Sequence, residues 1–159
     1  MQAAPISDSQ KSETRLRWST QQLMQAAKQN RWQHAVLLLA EMQAQGLGPN
    51  VITYSATISA CEKGSQWHEA LELLAEMQAQ GLEPNVITYN AAISACEKGS
   101  QWQQALELLA EMQAQGLEPN VISYNAAISA RENASCYGFP FKIVLRISIL
   151  PQRGILRIS

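Results

Sequence analysis

A repeat with a period of 35 residues constrains this chain more than any other feature. Residues 51–85 and 86–120 align without a gap and differ at only four positions. The differences are Ser55/Asn90, Thr57/Ala92, His68/Gln103 and Glu69/Gln104. A more divergent copy occupies residues 16–50, and a fourth copy begins at Val121 but stops matching after Ala130. Self-similarity at such a period is typical of solenoids, in which each repeat contacts mainly its neighbours.

The first half of each repeat predicts an amphipathic helix. In the copy at 51–85, Tyr54, Ile58 and Cys61 recur at helical spacing and form one apolar stripe. Asn50 stands directly before this stripe, and asparagine is a strong N-cap residue. We expect Gly64 to end the helix.

The second half predicts another helix. We expect Ser65 to cap its start and Gly81 to supply the left-handed residue at its end, after which Pro84 blocks continuation. The apolar positions at helical spacing are Trp67, Ala70, Leu71, Leu74 and Met77. One such hairpin cannot cover its own apolar stripes, so neighbouring hairpins must stack. We therefore expect the recurring tryptophans, Trp67 and Trp102 among them, to be buried between hairpins.

The pattern predicts three segments. Residues 1–15 form a polar N-terminal arm, and residues 16–130 form the repeat array, divided into 16–50 (degenerate), 51–85, 86–120 and 121–130 (truncated). Residues 131–159 form a non-repeat C-terminal tail in which Phe141, Ile143 and Leu145 alternate with polar or smaller residues. For this tail a disordered segment and a small hairpin both stay open.

Composition argues against several classes of function. No apolar run is long enough for a membrane span. Residues 51–120 carry two basic and nine acidic side chains, so nucleic-acid binding there cannot rest on bulk charge. The three cysteines form no C-x-x-C pair, which favours a reducing compartment. We find no catalytic constellation, metal-ligand spacing or phosphate loop, and we predict no enzyme activity, cofactor or small-molecule substrate.

The chain resembles the pentatricopeptide repeat family. The resemblance is carried by the stretch Val86–Asn120, "VITYNAAISACEKGSQWQQALELLAEMQAQGLEPN", with its opening V-I-T-Y-N, its A-L-E-L-L-A-E-M and its closing G-L-E-P-N. The tetratricopeptide repeat, the main competitor, has a period of about 34 residues and a W-x-x-L-G-x-x-Y opening that this chain lacks. The resemblance implies an all-α fold, a right-handed α-solenoid of antiparallel helix-turn-helix repeats.

The resemblance also implies single-stranded RNA as the partner, with about one base for each repeat. In this family, the fifth and last side chains of a repeat read the base edge, and the second side chain wedges between bases. The implied wedges are Ile52, Ile87 and Ile122. The implied readers are Thr20 with Asn50, Ser55 with Asn85, Asn90 with Asn120, and Asn125 without a surviving partner. In the degenerate copy Arg17 replaces the wedge.

The family pattern implies the base order A-A-C, with U tolerated third, and a weak affinity because the array is short. It also implies organellar RNA processing, stability or translation, in a mitochondrion or a chloroplast. A cytoplasmic location stays open, because the N-terminal segment contains Asp8 and Glu13 and matches a transit peptide poorly. Two alternatives also stay open. The last-position asparagines can act as N-caps alone, and the solenoid can serve as a protein-interaction scaffold without useful RNA binding.

Overall fold

The computed structural model describes residues 7–134, which form seven α-helices and, within that range, no β-strand. The helices are α1 (Asp8–Lys28), α2 (Trp32–Ala44), α3 (Val51–Lys63), α4 (Trp67–Ala79), α5 (Val86–Lys98), α6 (Trp102–Ala114) and α7 (Val121–Ala134). Odd-numbered helices are the first helices of the repeats, and even-numbered helices are the second. The predicted all-α repeat fold is confirmed, and the predicted tail beyond Ala134 lies outside the described residues.

The first helices begin directly after the asparagines, as the sequence predicts. Asn50 and Asn85 are the N-caps of α3 and α5. The Oδ1 of Asn50 accepts a hydrogen bond from the backbone N–H of Thr53 at 3.0 Å, and the Thr53 hydroxyl accepts one from the Asn50 backbone N–H at 2.9 Å. This reciprocal capping box satisfies two amide groups that would otherwise have no partner at the helix start.

The turn between the two helices differs from the expectation. Ser65 and Ser100 adopt the left-handed conformation, with φ of 56° and 54°, whereas Gly64 has an ordinary φ of −80°. Ser65 therefore does not cap α4, whose N-cap is Gln66 and lacks a side-chain capping bond. The glycine is needed for a different reason. An added Cβ on Gly64 would lie 2.3 Å from Cδ1 of the Trp32 indole.

The turn after the second helix follows the expectation. Gly81 has a φ of 73°, and its backbone N–H donates to the Gln78 carbonyl at 2.9 Å. The backbone N–H of Leu82 donates to the Met77 carbonyl at 3.1 Å, which closes a Schellman motif. Leu82 then packs against the core.

The first helices form one continuous row. The backbones of α1, α3 and α5 each pack closely against the next first helix. The second helices α2, α4 and α6 pack against their own first helix and the next one, and successive second helices meet through long side chains such as Gln43 and Glu76. The first helices therefore lie closer to one another than the second helices do. The core lies between the two rows and contains Tyr54, Tyr89, Ile58 and Ile93, all fully buried.

The recurring tryptophans are only half-buried, which corrects the expectation that they are buried between hairpins. Trp32 packs onto Gly64 and Trp67 onto Gly99 in the following repeat, and the Trp67 ring also stacks on His68 with the ring centroids 4.0 Å apart. The indole fills the space beside a glycine rather than the centre of the core. Each tryptophan thus joins a second helix to the end of the next first helix.

Polar side chains also join the repeats at the buried tyrosines. The Gln43 amide donates to the Tyr54 hydroxyl at 2.8 Å and to the Glu76 carboxylate at 2.6 Å. One repeat later, Gln78 donates to Tyr89 at 3.2 Å and to Glu111 at 2.6 Å. Each tyrosine hydroxyl therefore has a partner in the preceding repeat, which satisfies a polar group whose ring is buried.

The start of the chain also differs in detail from the expectation. Helix α1 begins at Asp8, inside the segment expected to be a polar arm, because Ser7 and Gln10 form a capping box. Residues 7–15 are all exposed, as a polar surface segment should be, but from Asp8 onward they are helical. None of the helices between residues 7 and 134 is long and apolar enough to cross a membrane.

Candidate nucleic-acid interface

The side chains that the family pattern implies as RNA contacts lie at or near the starts of α3, α5 and α7, apart from Thr20, which lies in the middle of α1. We call this set the reader row. Its members are Thr20, Asn50, Ile52, Ser55, Asn85, Ile87, Asn90, Asn120, Ile122 and Asn125. Because the first helices stack in one row, these positions recur along one side of the solenoid at each repeat.

The second-position isoleucines are exposed despite their apolar side chains. Ile52, Ile87 and Ile122 are 58%, 66% and 59% exposed. Each lies in the first turn of a first helix, while Tyr54 and Tyr89, two residues further on, are fully buried. Helix packing therefore does not account for an isoleucine here. Exposed apolar side chains repeated at one place in every repeat are suited to contact the faces of unstacked bases.

In the repeat at 51–85, the two predicted readers are joined through a third side chain. The Ser55 and Thr88 hydroxyl oxygens are 2.6 Å apart, and the Thr88 hydroxyl donates to Oδ1 of Asn85 at 3.0 Å. The same Oδ1 accepts the backbone N–H of Thr88 at 3.0 Å. Asn85 is therefore an N-cap and a neighbour of Ser55 at the same time, with its Nδ2 group left at the surface.

In the repeat at 86–120, the two predicted readers touch each other directly. The Nδ2 of Asn90 donates to Oδ1 of Asn120 at 3.3 Å. That Oδ1 also accepts the backbone N–H groups of Ile122 and Ser123, at 3.0 and 3.2 Å. The Ser123 hydroxyl donates to Oδ1 of Asn90. The fifth and last side chains thus form one polar pair beside an exposed isoleucine.

The two outer positions of the reader row are not paired in this way. The Thr20 hydroxyl donates to the Leu16 carbonyl of its own helix at 2.8 Å, while Asn50 caps α3. No hydrogen bond joins Thr20 to Asn50 within the described range. Arg17, which stands at the wedge position, is exposed and lines a shallow groove together with Thr20. Asn125 is exposed on α7.

Sequence reasoning missed Thr88 and Ser123, which link the predicted readers. Both occupy the third position of their repeats, and both are fully buried. A signal was present, since a hydroxyl three residues after an N-cap asparagine is a capping-box pattern. Its second contact reaches a residue 33 positions earlier, which no local pattern reveals.

Charge is divided between the two rows of helices. The excess acidic residues lie on the second helices and the turns that follow them, at Glu69, Glu72, Glu76, Glu83, Glu107, Glu111 and Glu118. On α3 and α5 the acidic and basic side chains balance, and Lys98 pairs with Glu62 at 2.6 Å. The reader row therefore lies on the less acidic side of the molecule, where a phosphate backbone meets less repulsion.

The described residues hold two buried thiols and no candidate metal cluster. Between residues 7 and 134 there is no group of three or more histidine, cysteine, aspartate or glutamate side chains suited to a metal ion. Cys61 and Cys96 are fully buried, and burial raises the pKa of each thiol to about 12. Thiols in this state are poor nucleophiles at neutral pH.

Solved structures with the same arrangement contain RNA. The pentatricopeptide repeat protein PPR10, a maize protein, in complex with an 18-nt psaJ RNA element superposes with a TM-score of 0.68 at 28% identity. That match covers 84% of this chain and 19% of PPR10. The pentatricopeptide domain of Arabidopsis thaliana protein-only RNase P 1, in complex with tRNA, superposes with a TM-score of 0.62 at 19% identity. It covers 68% of this chain and 57% of that domain, and its low identity shows the fold alone.

The sequence itself matches a family model. No curated protein sequence gives a significant match to the chain. The model of the pentatricopeptide repeat domain, however, matches in three overlapping stretches, residues 21–64, 37–99 and 72–133. Together they span most of the chain and coincide with the stacked helix pairs described above. The chain belongs to the pentatricopeptide repeat family.

Proposed function

We propose that this protein binds single-stranded RNA along the reader row, with one base for each repeat. The observation that carries this proposal is the recurrence, in successive repeats, of an exposed isoleucine beside a polar pair at the start of a first helix. Isoleucine can fill the space between unstacked bases, and amide and hydroxyl groups can bond the Watson–Crick edge of a base. The similar solved structure of PPR10 holds an 18-nt RNA element, which supports the same partner here.

The proposed base order is A-A-C, with U tolerated at the third base. It assigns Thr20 with Asn50, Ser55 with Asn85 and Asn90 with Asn120 to successive bases in the 5′ to 3′ direction. Two or three repeats supply few contacts, and each stacked base contributes only about 1–3 kcal/mol. Because association costs several kcal/mol before any surplus remains, we expect weak binding. The proposed biological role is RNA processing, stability or translation in a mitochondrion or a chloroplast.

A titration with a fluorescent A-A-C-containing RNA, at low and at moderate salt, tests the binding. We expect weak but saturable binding, and we expect Ile87→Ala to reduce it several-fold, because stacking against one base is lost. Leu37→Ala is the matched control. Leu37 is 61% exposed, like the wedges, but lies on the second helix α2. Equal losses for both variants, or no binding at low salt, would contradict the proposal.

The alternative role is a protein-interaction scaffold. The acidic second helices favour it, because nine acidic side chains against two basic ones in residues 51–120 disfavour a polyanion over much of the surface. Absence of RNA binding in the titration would leave this role as the better account of the solenoid.

A further inference from the structure

We propose that the third-position hydroxyls, Thr88 and Ser123, determine base specificity by fixing which way the fifth-position reader of the preceding repeat can hydrogen-bond. Thr88 acts on Ser55, and Ser123 acts on Asn90. Neither Thr88 nor Ser123 faces the RNA, because both are fully buried. They are positioning residues, and their proposed role rests on RNA binding along the reader row.

The direction of the hydrogen bonds around Thr88 follows from counting protons. The backbone N–H of Thr88 requires an acceptor, which fixes Oδ1 of Asn85 beside it at 3.0 Å. The Thr88 hydroxyl donates its single proton to the same Oδ1 at 3.0 Å. Its oxygen can therefore only accept from Ser55, 2.6 Å away. The chain of bonds runs from the Ser55 hydroxyl to the Thr88 hydroxyl and ends on Asn85.

This direction leaves a defined pattern of hydrogen-bonding groups at a site where Ser55 is only 9% exposed and Asn85 is exposed. The Ser55 proton is already used, so its oxygen offers only lone pairs to a ligand, while Nδ2 of Asn85 offers donors. One acceptor beside one donor complements adenine, which presents its N6 amino group beside the N1 acceptor. It also complements the N4 and N3 atoms of cytosine. Guanine and uracil present donor and acceptor in the reverse order, so the pair of Ser55 and Asn85 disfavours them. Adenine and cytosine present the same order, so the size of the base must separate these two.

In the next repeat, the fifth-position residue Asn90 offers N–H donors to a base, whereas Ser55 offers lone pairs. Oδ1 of Asn120 is held as an acceptor by the backbone N–H groups of Ile122 and Ser123. Asn90 therefore turns its Nδ2 toward Asn120, and its Oδ1 accepts the Ser123 hydroxyl. The groups left for a base are mainly N–H donors, from Asn90 and Asn120. Such a pair favours edges rich in acceptors, such as the N3 and O2 atoms of cytosine.

The junction between the first two repeats supplies a natural control. Its third-position residue, Thr53, carries the same hydroxyl but makes no hydrogen bond to the fifth-position residue of the preceding repeat. The Thr53 hydroxyl donates to the Asn50 backbone carbonyl at 2.8 Å. The preceding fifth-position residue, Thr20, donates to Leu16 in its own helix. Thr53 thus serves the cap of α3 alone, whereas Thr88 serves the cap of α5 and also holds Ser55.

The test replaces Thr88 with valine, which keeps the shape and removes the hydroxyl. Freed from Thr88, the Ser55 hydroxyl can rotate and donate as well as accept. We expect the preference for A-A-C over A-G-C RNA to fall about tenfold, since a good pair of base contacts contributes that order of discrimination. Thr88→Ser should keep the preference. Thr53→Val, which loses the equivalent capping hydroxyl, should leave the A-A-C over A-G-C preference unchanged.

A second measurement needs no RNA. In the free protein the Ser55 hydroxyl proton, held in a buried bond, should exchange slowly with water in NMR spectra of the wild type and of Thr88→Ser. It should exchange rapidly in Thr88→Val. If RNA does not bind, the proposed function fails while this result still decides the hydrogen-bond direction. If RNA binds and Thr88→Val keeps the full preference, or if the wild-type Ser55 proton exchanges rapidly, the role of Thr88 is overturned.

Discussion

At the scale of single residues, a contact between repeats requires glycine at the ends of the first helices. Gly64 and Gly99 have φ near −80°, which any residue can adopt, so their backbone does not require glycine. The requirement comes from the indoles of Trp32 and Trp67, which occupy the space where a Cβ would stand. Each glycine and tryptophan pair therefore acts as one packing unit that spans two repeats.

The first prediction concerns this unit. Gly99→Ala places a Cβ 2.2 Å from the Trp67 indole, so the ring must move. Overpacking of this kind costs about 1–3 kcal/mol of unfolding free energy. Gly48→Ala is the control, because a Cβ there meets nothing within 4 Å and the φ is not left-handed. In urea unfolding, Gly48→Ala should leave the unfolding free energy unchanged or raise it slightly. A Gly99→Ala protein as stable as the wild type would show that the indole is not held against the glycine.

The second prediction concerns the change that distinguishes the two nearly identical repeats. Asn90→Ser gives the repeat at 86–120 the reader of the repeat at 51–85 and lets the new hydroxyl donate to Ser123, as Ser55 donates to Thr88. The preferred third base should shift from C toward A, measured with A-A-C and A-A-A RNAs. Melting should change little, because the pair lies at the surface. An unchanged ratio of the two affinities would contradict base reading by this residue.

Residue roles could be predicted from sequence only where they depend on near neighbours. Asn50 as an N-cap and Gly81 as a left-handed residue follow from local chemistry, and both predictions are confirmed. Gly64 ends α3 as predicted, but its contact with Trp32 of the previous repeat could not be predicted from local sequence, and Ser65 was assigned the wrong role. Thr88 was missed for the same reason, since Ser55 lies 33 positions before it.

At the scale of the helices, the last-position asparagines carry two tasks with different atoms. Oδ1 of Asn85 satisfies the start of α5, while Nδ2 remains at the surface beside Ser55. A capping role and a reading role therefore do not compete for the same group. The alternative in which the asparagine serves only as a cap predicts that Nδ2 has no effect on RNA.

The third prediction separates these tasks. Asn85→Asp keeps an acceptor for the backbone N–H of Thr88 and removes the Nδ2 donor. We expect stability close to that of the wild type, and weaker binding with an altered base preference at the second position of the RNA. Asn85→Ala removes the cap as well and should lower the unfolding free energy by about 0.5–2 kcal/mol. Thermal melting and RNA titration of both variants provide the measurements. Unaltered RNA binding by Asn85→Asp would favour a cap-only role.

The helices themselves were well predicted, because the apolar stripes recur at helical spacing and the caps flank them. The stripe of Tyr54, Ile58 and Cys61 is fully buried on α3. The start of α1 was not predicted, since residues 8–15 bury nothing and the capping box of Ser7 and Gln10 alone marks it. A helix end without an apolar stripe leaves little trace in a sequence.

At the scale of the whole molecule, the arrangement of the rows explains how a repeat array with acidic residues in excess over 51–120 can keep a less acidic side, the one proposed to bind RNA. The first helices contact one another and carry the reader row, while the second helices carry most of the excess acidic side chains. The period of the repeat predicted that neighbouring hairpins stack. Which of the two helix rows has the closer-packed helices depends on packing between repeats, which the period does not reveal. Net charge alone therefore gave an incomplete picture of the surface.

The last prediction concerns stability at high pH, where the buried cysteines and tyrosines of successive repeats all affect the free energy of unfolding. Burial raises the pKa of Cys96 to about 12, and burial together with the charge of Glu69 raises the pKa of Cys61 to about 12. Burial also raises the pKa of Tyr54 and Tyr89, assisted by Glu76 and Glu111 respectively.

A raised pKa means that the folded state holds the proton more tightly than the unfolded state. The stabilisation is fully present below about pH 9, where unfolded cysteine begins to ionise, and is lost as the pH rises toward 12. Each thiol should lower the unfolding free energy by about 1.4 kcal/mol per pH unit in that range. Urea unfolding between about pH 7 and pH 10 should therefore show a plateau followed by a decline. Replacing Cys61 and Cys96 with alanine, in a Cys136→Ser background in both proteins, should remove the early part of the decline and leave the part due to the tyrosines. Equal slopes in the two proteins would mean that the thiols are not held neutral by the stacked core.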